Sequence, residues 1–384
     1  PPLATRMRTQ LGTYCQQFDG TLRPLLEDLT TALAALDGAA HDVPGRTLQT
    51  PLRELQHQLR ALCDKVAEQQ AYVLIFGPLK SGKSTLMNAI AAAYVSEVSS
   101  LPAYPCLVFV SAGPKRAYEV SCYDGTVRTH HDAGALHRDI ELAHTQLADA
   151  IRQAERRGDA FDPQEHFPAA IRRVDVRVPD SDLEATGAVL VDTPGLYTRM
   201  RFGYDRMTRD FRNAAACAIF VVKSDTLFLE QVFAEFQQLL ELFSRIFLVV
   251  NVDSQKRDVA PDGKLVPSLE QSQPEAVLRA FEQLAMSAPL LRAKADGRVR
   301  MYPVDLLHAA SSALQKQPQK AHAGFQAFQR DLGEYLASSE YLQAFLGDSQ
   351  KRADSLLRDL RQVLAGDVVQ ALGERRHELR ERAE

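Results

Sequence analysis

The sequence predicts an α/β head with a three-layer, mostly parallel sheet, joined to an α-helical bundle, or stalk, built from both chain ends. In the middle of the 384-residue chain, short β-rich runs alternate with helical patterns, which is typical of strands connected by crossover helices. Both chain ends instead repeat apolar residues every three or four positions, as amphipathic helices do. We therefore expect N-terminal helices over residues 1–70, the head over 71–312, and C-terminal helices returning to the bundle over 313–384.

Apolar periodicity predicts two long helices in the N-terminal region, over residues 11–36 and 48–66. Their heptad-like spacing fits either the core of an ordinary bundle or an intermolecular coiled coil. The C-terminal region repeats the pattern over residues 356–368. These helices are therefore expected to pack together as one stalk.

Eight apolar runs in the middle region predict the strands of the head. They are Tyr72–Phe76, Cys106–Ser111, Ala117–Tyr123, Arg173–Val178, Ala188–Val191, Ala218–Val222, Ile246–Val250 and Val299–Val304. A helix is expected from Leu136 to Arg156. The long interval between Lys83 and Asp192 leaves room for an additional pair of strands.

Composition narrows the functional classes. The formal net charge is −4, which gives no electrostatic reason to expect nucleic acid. Five scattered cysteines without a C-x-x-C pair predict neither a disulfide framework nor a zinc site, and favour the cytoplasm. No apolar run approaches the roughly 18 residues that cross a bilayer. Because the sequence starts at Pro1 without methionine and stops inside a charged helical pattern, we expect a longer natural chain.

The strongest functional signal is a G-x-x-x-x-G-K-S run from Gly77 to Ser84, placed between an apolar strand and a helical pattern. That context predicts a phosphate-binding loop. Glycines let backbone N–H groups turn toward phosphate oxygens, and the following helix adds the positive end of its dipole. We expect Lys83 to contact the β- and γ-phosphates and Ser84 to bind Mg²⁺. The expected nucleotide-binding residues here are Gly77, Lys80, Ser81, Gly82, Lys83, Ser84 and Thr85.

A second motif, Asp-Thr-Pro-Gly, follows the apolar run that ends at Val191. Asp192, at the carboxyl end of a strand, can hold Mg²⁺ through water, and the Gly195 N–H can contact a γ-phosphate. Alone, the tetrapeptide fits an ordinary turn equally well. Beside a phosphate loop it predicts a segment that is released on hydrolysis.

The two motifs, together with residues 174–179, 218–225, 247–251 and 324–336, resemble the dynamin superfamily of large GTPases, particularly bacterial dynamin-like proteins. The resemblance extends from about residue 71 to 346. It implies GTP and GDP as ligands, Mg²⁺ as cofactor, hydrolysis, and homodimers that form through the heads. It also implies membrane remodelling, with the protein peripheral at the inner membrane or bound to a partner dynamin-like protein.

The base-reading segment departs from this family. The resemblance implies N-K-x-D or T-K-x-D, whereas the chain has Asn251-Val252-Asp253-Ser254. Asp253 is the expected guanine reader, because a carboxylate pairs with two guanine donors and rejects adenine. The alternative is that Asn251 and Asp253 only cap a turn. In the loop expected to close over the base, Val304 and Asp305 replace the usual Ser-Ala.

Two further departures concern catalysis. Residues 96–111 contain no threonine, and Pro105-Cys106 stands about where the family has its threonines. Lys80 occupies a position where eukaryotic dynamins have a serine that organises a cation. It is either a second cation beside the transferring phosphate or a solvated loop lysine. The expected catalytic residues are Lys83, Lys80 and Gly195. A non-hydrolysing nucleotide sensor and a P-loop ATPase remain alternatives.

Overall fold

The computed structural model describes residues 3–38, 44–68, 71–95, 106–158, 161, 166–179, 181, 183, 187–192, 215–284, 286–317 and 322–383. The chain forms two compact units. The helical unit comprises Pro1–Gln70 and Ser338–Glu384, and the head comprises Ala71–Ala337.

The elements are numbered in chain order. The helices are α1 (Leu3–Asp37), α2 (Gln49–Glu68), α3 (Lys83–Ala91), α4 (Ala133–Arg157), α5 (Glu230–Leu242), α6 (Leu269–Ser272), α7 (Pro274–Leu284), α8 (Ala288–Ala295), α9 (Leu306–Leu314), α10 (Ala323–Leu336), α11 (Ser339–Leu364) and α12 (Asp367–Ala383). The strands are β1 (Ala71–Phe76), β2 (Leu107–Ala112), β3 (Ala117–Cys122), β4 (Val127–His130), β5 (Ile171–Val178), β6 (Ala188–Asp192), β7 (Ala215–Lys223), β8 (Ile246–Asn251), β9 (Arg257–Val259), β10 (Leu265–Pro267) and β11 (Val299–Val304).

The helical unit is held together by leucines from the two predicted N-terminal helices. Helix α2 packs against both α1 and α11, and the Tyr14 hydroxyl donates to the Leu346 carbonyl oxygen at 3.4 Å. The buried leucines lie three or four positions apart, so each helix presents one apolar stripe. They are Leu22, Leu26, Leu29, Leu33, Leu52, Leu55, Leu59 and Leu62.

The head contains a nine-stranded sheet in the order β11-β8-β7-β1-β6-β2-β5-β3-β4. The five strands from β11 to β6 are parallel. Strand β2 is antiparallel to β6 and parallel to β5, and β3 is antiparallel to both β5 and β4. Each of the eight predicted strands is present, and the mostly parallel sheet is confirmed.

Three strands lie outside the sequence prediction. Strand β4 pairs with β3 at the sheet edge, and β9 and β10 form a separate antiparallel hairpin. Strand β4 has only four residues, which alternate between exposed and half-buried, and every residue of the two hairpin strands is exposed. Such strands lack the apolar runs that reveal buried ones.

Helices cover both faces of the sheet. On one face, Leu74, Phe220 and Leu248 share a buried cluster with residues of α5, α7 and α8. The opposite face presents Phe247, whose ring lies 5.9 Å from that of Phe328 on α10. Adjacent strand residues point to opposite faces, so the three-layer prediction is confirmed. Since α10 packs on β11, the head includes a helix that the sequence analysis assigned to the C-terminal region.

Strand register brings several chain positions to one edge of the sheet. Ile75 on β1 pairs with Asp192 on β6, and Val304 on β11 pairs with Asn251 on β8. These positions are at the carboxyl ends of parallel strands, where open α/β sheets bind their ligands. Among the helices of the described ranges, none combines the length and apolar character needed to cross a membrane.

Candidate functional site

The segment between β1 and α3 has the backbone of a tight loop. Gly77, Lys80 and Gly82 all have positive φ, at 147°, 62° and 108°. A Cβ added at Gly77 would lie 2.1 Å from the Val221 carbonyl oxygen, so only glycine fits there. Backbone in this conformation turns N–H groups into a concave surface that suits an anion.

Lys83 brings a positive charge into the loop. Its Nζ donates to the carbonyl oxygens of Gly77 at 2.9 Å and Pro78 at 3.1 Å, and the residue is buried. Gly82 precedes α3 as its N-cap and supplies no side-chain hydrogen bond to the first turn. The ammonium and the positive end of the helix therefore act on the same small volume, which favours phosphate.

Asp192 lies beside this loop with an unsatisfied oxygen. The residue is buried, and its Oδ1 has no hydrogen-bond partner among the described residues. Burial raises the pKa of Asp192 to about 6, against the opposing effect of the Lys83 charge. Buried carboxylate oxygens in folded proteins are hydrogen-bonded or bound to a cation. Since Mg²⁺ prefers oxygen ligands and keeps its waters, the Asp192 carboxylate and the Ser84 hydroxyl, in the first turn of α3, are groups of the kind that fit this ion.

Ser81 supplies a further polar group within the loop. Its Oγ is buried without a hydrogen-bond partner among the described residues, and its N–H donates to the Pro78 carbonyl oxygen at 3.3 Å. Ser84 and Thr85 are half-buried in the first turn of α3, and Lys80 is exposed. The loop thus presents hydroxyl groups and a lysine that a phosphate could contact.

Asn251, at the end of β8, connects the phosphate loop to the start of α9. Its Nδ2 donates to the Ser81 carbonyl oxygen at 3.0 Å, and its Oδ1 accepts from the Leu306 N–H at 3.4 Å. A Cβ at Gly82 would lie 2.8 Å from the Leu306 side chain and 2.9 Å from Asn251 Nδ2. The carboxamide therefore holds the loop against the start of α9 and does more than cap a turn.

Two carboxylates near this carboxamide have different surroundings. Asp253 is exposed, and its Oδ1 accepts from the Gln255 N–H at 2.8 Å, which is the turn-capping geometry. Asp305 is buried as the N-cap of α9, where its Oδ1 accepts from the His308 N–H at 2.9 Å. Asp305 Oδ2 accepts from the Ser254 hydroxyl and from the Ser254 N–H, the latter at 3.2 Å.

Asp305 differs from an ordinary buried acid because its pKa is lowered and not raised. Burial alone would raise its pKa, but the hydrogen bonds from His308 and Ser254 outweigh burial and lower the pKa below the usual value. The carboxylate therefore stays charged at neutral pH. Val304, the residue before it, is buried at the end of β11.

Several expected site residues fall outside the described residues. These are Thr193 to Gly195 and most of the segment expected to hold a switch threonine, residues 96–105. Cys106 is described and buried. Burial, together with the nearby Asp192 charge, raises its pKa to about 12. A neutral thiol thus lies near the expected metal ligand.

Ser254 and Leu306 were not among the site residues expected from the sequence. Ser254 stands three residues after Asn251, where the resemblance implies a carboxylate, and that position was the available signal. Leu306 contributes its backbone N–H, which no side-chain motif reveals.

Comparison with known proteins agrees with this geometry. A model of the dynamin family matches residues 73–253. This segment belongs to the dynamin family. The dynamin-family domain includes the phosphate loop, Asp192, Asn251 and Asp253, and the resemblance to bacterial dynamin-like GTPases is confirmed.

One curated relative of this chain is dynamin-like protein A of Bacillus subtilis (strain 168). The identity is 27% over 139 residues, or 36% of this chain and 10% of the relative. The chain thus spans about a tenth of the length of this relative.

Solved structures give more distant likenesses. A structure of an oligomerised bacterial dynamin pair, described as sensing and tethering membranes at long range, is 16% identical with a TM-score of 0.45. That alignment covers 94% of this chain and 51% of the other. Era from Aquifex aeolicus, bound to GDP and aluminium fluoride, is 13% identical with a TM-score of 0.31, covering 69% of this chain and 56% of Era.

Proposed function

We propose that the dynamin-family domain binds GTP with Mg²⁺ and hydrolyses it to GDP and phosphate. The observation that carries the proposal is the proximity of Lys83, held inside a glycine-shaped loop, to the buried Asp192 Oδ1, which has no hydrogen-bond partner in the part of the chain that the structure describes. A triphosphate supplies negative charge for the first group, and its bound cation supplies a partner for the second.

Each residue has a definite role in this proposal. Residues 77–85 surround the phosphates, and Lys83 neutralises charge that grows on the β- and γ-oxygens as the bond to the γ-phosphorus breaks. Ser84 and Asp192 are the residues that would hold Mg²⁺. When bound, this ion adds positive charge at the same oxygens. Lys80 is the candidate second cation at the loop, and Gly195 is the candidate N–H donor to the γ-phosphate.

Assembly is the second part of the proposal. Heads pair as a homodimer, which orders the segments around the γ-phosphate and excludes bulk solvent while retaining the one water that attacks the γ-phosphorus. The helical unit then acts as the stalk that converts the nucleotide state into remodelling of a membrane. We place the protein in the cytoplasm, peripheral at the inner membrane, alone or with a partner dynamin-like protein. The match of residues 73–253 to the dynamin-family model supports this part.

Phosphate release from GTP and ATP, measured in parallel over a range of protein concentrations with Mg²⁺ and K⁺, tests the proposal. We expect turnover of GTP alone, with specific activity that rises as protein is added. Binding without turnover of either nucleotide would instead support the nucleotide sensor, and turnover of ATP would support the ATPase.

A further inference from the structure

We propose that Asp305 and Ser254 together read the guanine base, and that Asp253 does not. This inference deepens the proposed GTP binding and rests on it. It assigns base selection to the start of α9 and to the residue three positions beyond Asn251.

Sheet order places this pair at the base end of the site. Strand β1, which leads into the phosphate loop, has β6 on one side and β7, β8 and β11 on the other. Asp192 ends β6, whereas Asn251 and Val304 end β8 and β11. A nucleotide whose phosphates lie at the loop, with its metal toward β6, therefore extends its base toward β8 and β11.

The Asn251 carboxamide fixes Asp305 relative to the loop. One end of the carboxamide binds the Ser81 carbonyl oxygen, and the other binds the N–H of Leu306, the residue after Asp305. The position of this carboxylate is thus tied to the phosphate loop by a short hydrogen-bonded path. Asp253 instead is exposed and directs its Oδ1 to the Gln255 N–H.

The hydrogen-bond acceptor sites that remain on Asp305 and Ser254 indicate which group of the base each residue would bind. A carboxylate has about four acceptor sites. Among the described residues, three are taken by the His308 N–H, the Ser254 N–H and the Ser254 hydroxyl, which leaves one on Asp305 Oδ1. The Ser254 oxygen donates its proton to Asp305 and keeps lone pairs of its own.

Guanine matches these two acceptors. Its N1–H would donate to Asp305 Oδ1 and its exocyclic amine to Ser254 Oγ. Adenine presents a lone pair in place of N1–H, which an ionised carboxylate repels. Inosine retains N1–H and lacks only the amine. Adenine therefore tests the contact with Asp305, and inosine tests the contact with Ser254.

Competition binding of GDP, IDP and ADP to the whole chain tests the assignment. Asp305→Asn should weaken GDP and IDP by about 30-fold, within the range for a hydrogen bond to a charged group, and leave ADP within about threefold. Asparagine still caps α9, so this helix should remain intact. Ser254→Ala should weaken GDP by about tenfold and IDP much less. Asp262→Asn, on the exposed hairpin turn, is the control and should change none of the three.

The outcomes distinguish failure of the proposed GTP binding from failure of the assignment of base reading to Asp305 and Ser254. Wild-type protein that binds no GDP overturns the proposed function and this inference with it. Wild-type protein that binds GDP, with Asp305→Asn retaining its GDP-to-ADP ratio, overturns this inference alone. The same holds if Asp253→Asn loses guanine preference and Asp305→Asn does not. Should Asp305→Asn fail to fold, equal losses of GDP and IDP affinity in Ser254→Ala overturn the inference.

Discussion

The Asn251 side chain donates a hydrogen bond to the Ser81 carbonyl oxygen at 3.0 Å, across 170 positions of sequence. Its other end accepts from the Leu306 N–H. One carboxamide thereby connects the phosphate loop, the end of β8 and the start of α9. Its amide nitrogen and its oxygen each have a partner, so the loop is positioned before any phosphate arrives.

Removing this connection should weaken nucleotide binding. Asn251→Ala leaves the Ser81 carbonyl oxygen and the Leu306 N–H without this partner, and each neutral hydrogen bond contributes about 1 kcal/mol. We expect GDP affinity to fall about tenfold or more in fluorescence titration. Gln255→Ala, at an exposed position of the same loop, is the control. Equal affinities for both variants would contradict the positioning role.

Alanine substitutions at Gly77 and Gly125 distinguish the cost of backbone strain from the cost of steric overlap. Both have positive φ, but a Cβ at Gly125 meets nothing within 4 Å, whereas at Gly77 it overlaps the Val221 carbonyl oxygen. Gly125→Ala should cost about 1–2 kcal/mol of unfolding free energy. Gly77→Ala should cost more than about 3 kcal/mol, because β7 must also move. Urea denaturation of the two variants measures the difference, and similar midpoints would refute it.

Asp192 should make the protein less stable as pH rises. Its pKa is raised to about 6 in the folded state, from 3.8. Between these values the folded protein holds a proton that the unfolded chain has lost, so the unfolding free energy falls with increasing pH. Above about pH 6 the whole penalty applies, roughly 3 kcal/mol. Asp192→Asn should therefore be more stable than wild type at pH 7.5, and this advantage should disappear near pH 4.

Urea denaturation of wild type and Asp192→Asn from pH 4 to 7.5, without nucleotide or Mg²⁺, measures this dependence. Asp262 provides a control of opposite sign, because hydrogen bonds from Lys264 lower its pKa. Asp262→Asn should lose stability relative to wild type as pH rises. A stability difference for Asp192→Asn that does not vary with pH would show that this carboxyl is not perturbed.

The helical unit should be separable from nucleotide binding. Leu55 is buried on α2, so Leu55→Asp places a carboxylate among leucines and should cost about 4 kcal/mol. Leu379 on α12 is exposed, and Leu379→Asp should have little effect. Circular dichroism should show an earlier melting transition for Leu55→Asp, with GDP affinity retained. Loss of GDP binding in this variant would contradict independent units.

Much of the head could be predicted from sequence, because its central strands are buried on both faces and appear as continuous apolar runs. The phosphate loop could also be predicted from sequence, since its glycines lie at a fixed spacing. The hairpin β9–β10 was not, because its six residues are all exposed. Contacts such as Asn251 with Ser81, or Ser254 with Asp305, depend on how distant strands align. No local pattern encodes them.

The most direct test of the central claim is the dissociation constant of GDP for wild type, Lys83→Ala and Lys115→Ala. Lys115 is an exposed lysine of the head outside the loop. If the loop binds the phosphates, Lys83→Ala should lower affinity by about 100-fold or more, as expected for lost charge-assisted hydrogen bonds. Lys115→Ala should bind as wild type does. Unchanged GDP affinity in Lys83→Ala would contradict the account.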